Sequence, residues 1–214
     1  MFLFFLIEAE EVCRQLLRKV PELIEQKTDI KRSIFHFWAE DHKVWPFECL
    51  LKSDDIIPDI RKIFVNLISG IDKNGDNPLH VLARQDVSTE IEDLEIAKLL
   101  IRTYNQEIQE QLGVFSSRND QFAWLMQNKN GDTPLTYAIT NKKEEFALYI
   151  ISVDINTIRS STQNALLLAI TNGCGKVAEE ILKIVYVPNC PGKIAAPSSD
   201  FPQKLKRCSK QRLS

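Results

Sequence analysis

The clearest pattern along the chain is a polar turn followed at once by a short apolar run. It occurs twice: Asp72-Lys-Asn-Gly75-Asp-Asn77-Pro78-Leu79-His80-Val-Leu82-Ala83, and Asn128-Lys-Asn-Gly131-Asp-Thr133-Pro134-Leu135-Thr136-Tyr-Ala138-Ile139. Gly75 and Gly131 lie between Asn and Asp, where a tight turn needs a positive φ. Asn77 and Thr133 can cap a helix, and Pro78 and Pro134 then stand in its first turn, where a missing N–H costs nothing. Further on, an apolar residue is followed four and five positions later by two more, one face of a helix. This occurs at Ile63 with Leu67 and Ile68, Ile96 with Leu100 and Ile101, Phe146 with Ile150 and Ile151, and Val177 with Ile181 and Leu182. The spacing therefore predicts pairs of helices joined by turns.

Weaker copies fall into register. Asn164 to Ile170 lies 31 residues after the copy that opens at Thr133, and Gly173 follows it. Ser33-Ile34-Phe35-His36-Phe37-Trp38-Ala39 matches Asn77 to Ala83 at an offset of 44. Glu10, Glu11 and Val12 with Leu16 and Leu17 match Glu144, Glu145 and Phe146 with Ile150 and Ile151, which would start the chain inside the first helix of a unit. The repeated segment resembles the ankyrin repeat, whose signature is D-x-x-G-x-T-P-L-H-x-A-A. Thr136 departs from the histidine of that signature, and Leu82 and Ile139 from its alanine. Spacings of 44 and 56 residues place insertions within 40–62, within 84–95 and between 102 and 127.

The resemblance implies an all-α fold, an α-solenoid of ankyrin-like helix-turn-helix repeats with short β-turn or hairpin connections. The array would span 1–186, as a partial repeat at 1–27 and repeats at about 28–71, 72–127, 128–158 and 159–186. Residues 187–214 leave the pattern, hold four of the nine prolines, and are expected to be a disordered, dispensable tail. The resemblance also implies protein–protein binding with no enzymatic activity, no cofactor and no metal. Its exposed positions are the turn tips and the ends of the first helices. Here these are Lys73, Asn74, Asp76, Arg84 and Gln85 in one copy, and Lys129, Asn130, Asp132, Thr140 and Asn141 in the next. Trp45 and Phe47, in the first insertion, are further partner-binding candidates.

Composition changes little. The 44% hydrophobic content supports a sizeable core, and a net charge of −2 makes the whole chain no polyanion binder. Charge is uneven, however. Lys193, Lys204, Lys206, Arg207, Lys210 and Arg212 against Asp200 give residues 187–214 a charge of +5, leaving −7 on the other 186 residues. A nuclear or nucleic-acid-associated factor using that basic segment is one alternative; the ankyrin portion of a larger membrane-anchored or channel-type protein is another. Five scattered cysteines form no C-x-x-C pair and fit reduced thiols.

The run Phe2 to Ile7 lacks a basic n-region and a cleavage site, so it reads as helix rather than signal peptide. No stretch of the sequence reads as a transmembrane helix. The expectation is a cytoplasmic protein, with a nuclear location left open, monomeric unless the apolar N-terminus pairs. His36 and His42 have only Cys49 nearby, which falls short of a zinc set. No phosphate-binding glycine motif occurs, since Gly173-Cys174-Gly175-Lys176 lacks the first glycine and the Ser/Thr.

Overall fold

The computed structural model describes residue 15 and residues 22–51, 58–84, 86–112, 122–154 and 165–186. Most of the expected first unit, Gln85 and residues 187–214 lie outside these. The described elements are helical: α1 (Glu22–Glu25), α2 (Ile34–Glu40), α3 (Val44–Leu51), α4 (Pro58–Ile68), α5 (Pro78–Arg84), α6 (Glu90–Leu112), α7 (Pro134–Thr140), α8 (Glu144–Val153), α9 (residues 165–172) and α10 (Gly175–Tyr186). The solenoid expected from the repeats is what forms. Short helices α2, α5 and α7 stack side by side as an inner row; α3 and α4 pack on α6, α6 on α8, and α8 on α10 as an outer row. One continuous core runs between the rows, from Ile24 and Phe35 through Leu79, Leu100, Leu135 and Ile150 to Ile181. No described helix is long and apolar enough to cross a membrane.

Each inner helix starts by one device. The cap residue and the third helical residue bond reciprocally. Thr133 Oγ1 accepts the Thr136 amide at 3.2 Å while Thr136 Oγ1 accepts the Thr133 amide at 2.8 Å. Asn77 Oδ1 accepts the His80 amide at 3.1 Å, and His80 Nδ1 accepts the Asn77 amide at 3.2 Å. Four orphan donors open every helix, and these pairs satisfy two. The outer helices α8 and α10 are capped from their neighbours instead. Glu90 of α6 accepts the Glu145 and Phe146 amides at 2.9 and 3.1 Å, and Glu144 of α8 accepts the Lys176 amide at 3.2 Å. A carboxylate there also meets the positive end of the helix dipole.

The first insertion is not a loop around Trp45 and Phe47. After α2 the chain turns through His42 at φ 54°, as it does through Lys142 at 62° and Gly173 at 77°, directly into α3. By this register α3 is the outer helix of its unit, and α4, which carries the Ile63–Ile68 pattern, is the added one. Pro46 does not prevent α3, because the first turn of a helix needs no amide donors. The third insertion prolongs α6, which runs 23 residues against 10 for α8. Residues 122–126 then fold back, where Trp124 stands 5.8 Å from Tyr104 ring to ring, and the carbonyl of Ala123 accepts Asn77 Nδ2 at 2.7 Å.

Gly75 and Gly131 both adopt positive φ, +84° and +82°, but their surroundings differ. A Cβ on Gly75 would lie 2.9 Å from the Lys129 amide nitrogen, whereas one on Gly131 meets nothing within 4 Å. Gly131→Ala should therefore cost only the left-handed penalty, about 1–2 kcal/mol. Gly75→Ala should cost more, because backbone must move. Urea unfolding of the two variants checks the order.

Candidate functional site

Three turns are built alike. In each, the first residue donates its amide to the carbonyl four positions on: Thr28 to Arg32, Asp72 to Asp76 and Asn128 to Asp132, at 2.9–3.0 Å. A short acceptor side chain closes the loop from inside. Asp72 Oδ1 accepts the Asn74 and Asp76 amides, and Asn128 Oδ1 the Asn130 and Asp132 amides, at 2.7–3.1 Å. Thr28 Oγ1 accepts the Arg32 amide at 3.2 Å. The fourth position is left-handed in all three: Lys31 at φ 61°, Gly75 at 84° and Gly131 at 82°.

Successive turns are tied to each other. The Lys73 amide donates to the carbonyl of Ile30 at 2.9 Å, and the Lys129 amide to that of Asn74 at 3.0 Å. Beneath each tip a histidine crosses the same gap. His36 Nε2 donates to the carbonyl of Asp76, and His80 Nε2 to that of Asp132, both at 3.0 Å. The tautomers follow from the partners: Nδ1 of each ring accepts a cap amide, from Ser33 at 3.1 Å and from Asn77 at 3.2 Å. Nδ1 is then the acceptor and Nε2 carries the proton.

The structure places the expected binding residues in two rows. Lys73, Asn74, Lys129 and Asn130 are exposed turn tips; Arg84 and Thr140 are exposed at the ends of α5 and α7. Four expectations need correction, the first being Asp132, which is half-buried. Asp76 is 1% exposed, because its carboxylate accepts from Arg84 at 3.1 Å and from Asn128 Nδ2 at 2.8 Å. Phe47 is fully buried against Phe35 and Trp38, with ring centroids 5.3 and 5.5 Å apart, so it belongs to the core and leaves Trp45 half-buried beside it. Asn141 is half-buried and donates to the carbonyls of Ala83 and Tyr137, joining α7 to α5. Gln85 lies outside the described residues.

The turn base and the inner-helix end also form a repeated pair, with its charge alternating. Arg32 meets Glu40 at 2.8 Å, and Asp76 meets Arg84 at 3.1 Å. In the next copy Thr140 stands at the cation's position and donates to the Thr136 carbonyl instead, so no described cation pairs with half-buried Asp132. Beneath the opposite ends of the inner helices lies a polar cluster that sequence reading missed. Asp93, fully buried, accepts from His42 Nδ1 at 2.7 Å, from Thr89 at 2.8 Å and from Lys143 Nζ, which also donates to the Leu82 carbonyl. A buried charge must be paired and hydrogen-bonded to be tolerated. Three successive units supply these partners, so the cluster pins them in one register. Among the described residues no three His, Cys, Asp or Glu side chains are grouped to hold a metal ion.

Comparison with known proteins agrees with the geometry. A family model described as ankyrin repeats, in three copies, matches residues 91–189. No curated protein matches the chain.

Burial lowers the pKa of both His36 and His80 below the ordinary 6.5, despite their bonds to Asp76 and Asp132, which oppose the shift. The folded rings stay neutral where the unfolded chain takes up protons. Their contribution is complete above about pH 6.5 and is lost as pH falls through and below it. Urea unfolding at about pH 7.5 and 5.5 should show the loss of stability, and the His36→Gln, His80→Gln double variant should show a smaller pH difference.

Proposed function

Residues 91–189 match the ankyrin-repeat family model, and from that premise we propose that the chain is a non-catalytic scaffold that binds a partner protein along its turn tips and inner-helix ends. Ankyrin repeats mediate protein–protein interaction. In this chain one observation supports the reading above the others: Lys73 and Lys129 have exposed side chains on backbone fixed by inter-turn bonds. A surface that is ordered before binding loses less entropy when a partner docks, which is the condition for polar residues to contribute affinity.

Asp132 supports the same reading. Its counterparts Arg32 and Asp76 are neutralised within the chain, and Thr140 leaves Asp132 to a cation of the partner. Arg84 is a poor choice for testing the surface, because reversing its charge would set a carboxylate against buried Asp76. Lys73→Glu with Lys129→Glu touches no such pair. Exposed polar substitutions usually change stability by less than about 0.5 kcal/mol, while a central interface residue can contribute about 2 kcal/mol. The double reversal should therefore leave the thermal melt in place and weaken a partner, captured with the full chain, by more than about tenfold. Unchanged affinity would remove the tip row from the interface.

A further inference from the structure

The described array ends on a face that elsewhere in the same molecule is always covered. The position held by His36, His80 and Thr136 points at the next unit: His36 and His80 bond its turn, and Thr136 is buried. Leu167 occupies this position in α9 and is 62% exposed. One helical turn on, Ala39, Ala83 and Ile139 are fully buried, whereas Ile170, their counterpart, is 48% exposed. In α10, Ala178 and Leu182 are only half-buried, although Ala147 and Ile151, at the same positions of α8, are 0% and 2% exposed. Val185, at 49%, extends the strip toward the end of α10. These five side chains form a stacking surface without a stacked unit, since α9 and α10 repeat the pattern of α7 and α8 with nothing described beyond them. Contiguous apolar surface of this kind marks an interaction site.

We propose that residues 187–214 of this chain lie over that face and close the array. The segment leaves α10 at Tyr186, one residue past Val185, so it starts at the edge of the strip. Its 28 residues reach about 90 Å when extended, several times the width of two helices. It carries apolar groups to meet the face, Val187, Ile194, Phe201, Leu205 and Leu213. Its charge of +5 opposes the −7 of the remaining 186 residues, which favours association with the array over release from it. Glu179, next in sequence to Ala178, is an exposed carboxylate on α10 and meets Lys183 of the same helix at 3.7 Å. The lapse of the repeat pattern and the composition predict a dispensable segment; the open face becomes visible once the helices are stacked. A terminal unit of a repeat array needs a polar outer surface, and this segment would supply one from its basic residues.

The test uses the full chain, with Phe201→Ser and Leu205→Ser introduced together, and reads native-state hydrogen exchange alongside mass by light scattering. The proposal expects the amides of residues 165–186 to exchange at least about tenfold faster in the variant, those of α5 and α7 to be unchanged, and the mass to stay that of a monomer. Unchanged exchange in 165–186 overturns it, as does acceleration spread over the whole array. A mass of two chains that returns to one on Leu167→Glu also overturns it, and assigns the face to a second copy.

Discussion

The amide of Lys129 donates to the carbonyl of Asn74 and that of Lys73 to Ile30, and on these two bonds the stack of turns is built. Turns of five residues have no helix or sheet of their own to satisfy their backbone groups, and a buried group left unpaired costs about 1–3 kcal/mol. Asp72 and Asn128 satisfy part of each turn from within, and the neighbouring turn supplies the acceptor for the tip amide of Lys73 or Lys129. His36 and His80 repeat the link one layer deeper, from a side chain to the carbonyl of Asp76 or Asp132. Asp76 collects several of these strands. Its carbonyl accepts from Asp72 and His36, and its carboxylate from Arg84 and Asn128. It thereby joins three successive units, which explains its burial.

Stacking and surface chemistry are separated by this arrangement. Backbone and buried polar groups set the register, so the outward side chains at the tips are free to differ. The outer row is tied by its own relay, with Glu90 capping α8 and Glu144 capping α10. The Asp93–Lys143 pair with His42 fixes the far ends of the inner helices. A partner would thus meet a surface whose positions are held from three sides. At the face of α9 and α10 the stacking of one unit on the next stops among the described residues.

Legibility in the sequence followed how local the physics was. Gly75, Gly131, Pro78 and Pro134 act within four residues of themselves, and the turns and inner helices they announce are present. The turn at Thr28–Arg32 has the same backbone bonds with neither glycine nor proline, since Lys31 takes the left-handed position. It could be read only by knowing that Thr28 stands where Asp72 and Asn128 do. Helix α3 was hidden by Pro46 and by the stronger periodicity of α4. Asp76 and Phe47 looked like surface residues because the partners that bury them come from other elements: Asn128 lies 52 residues from Asp76, and Phe35 packs on Phe47 from α2. Lys143 gave no sign of burial, because Asp93 is 50 residues away. The exposed tip lysines were found, since a turn tip faces outward whatever the next unit does.

Backbone exchange at two residues tests the turn-to-turn linkage most directly. Lys73 and Lys129 carry exposed side chains, yet their amides are assigned to bonds across the repeat boundary. Native-state hydrogen exchange of the full chain should find both amides as protected as those inside α5 and α7, opening only with the array. Exchange of either amide at the rate of an unstructured loop, while the helices stay protected, would contradict the account.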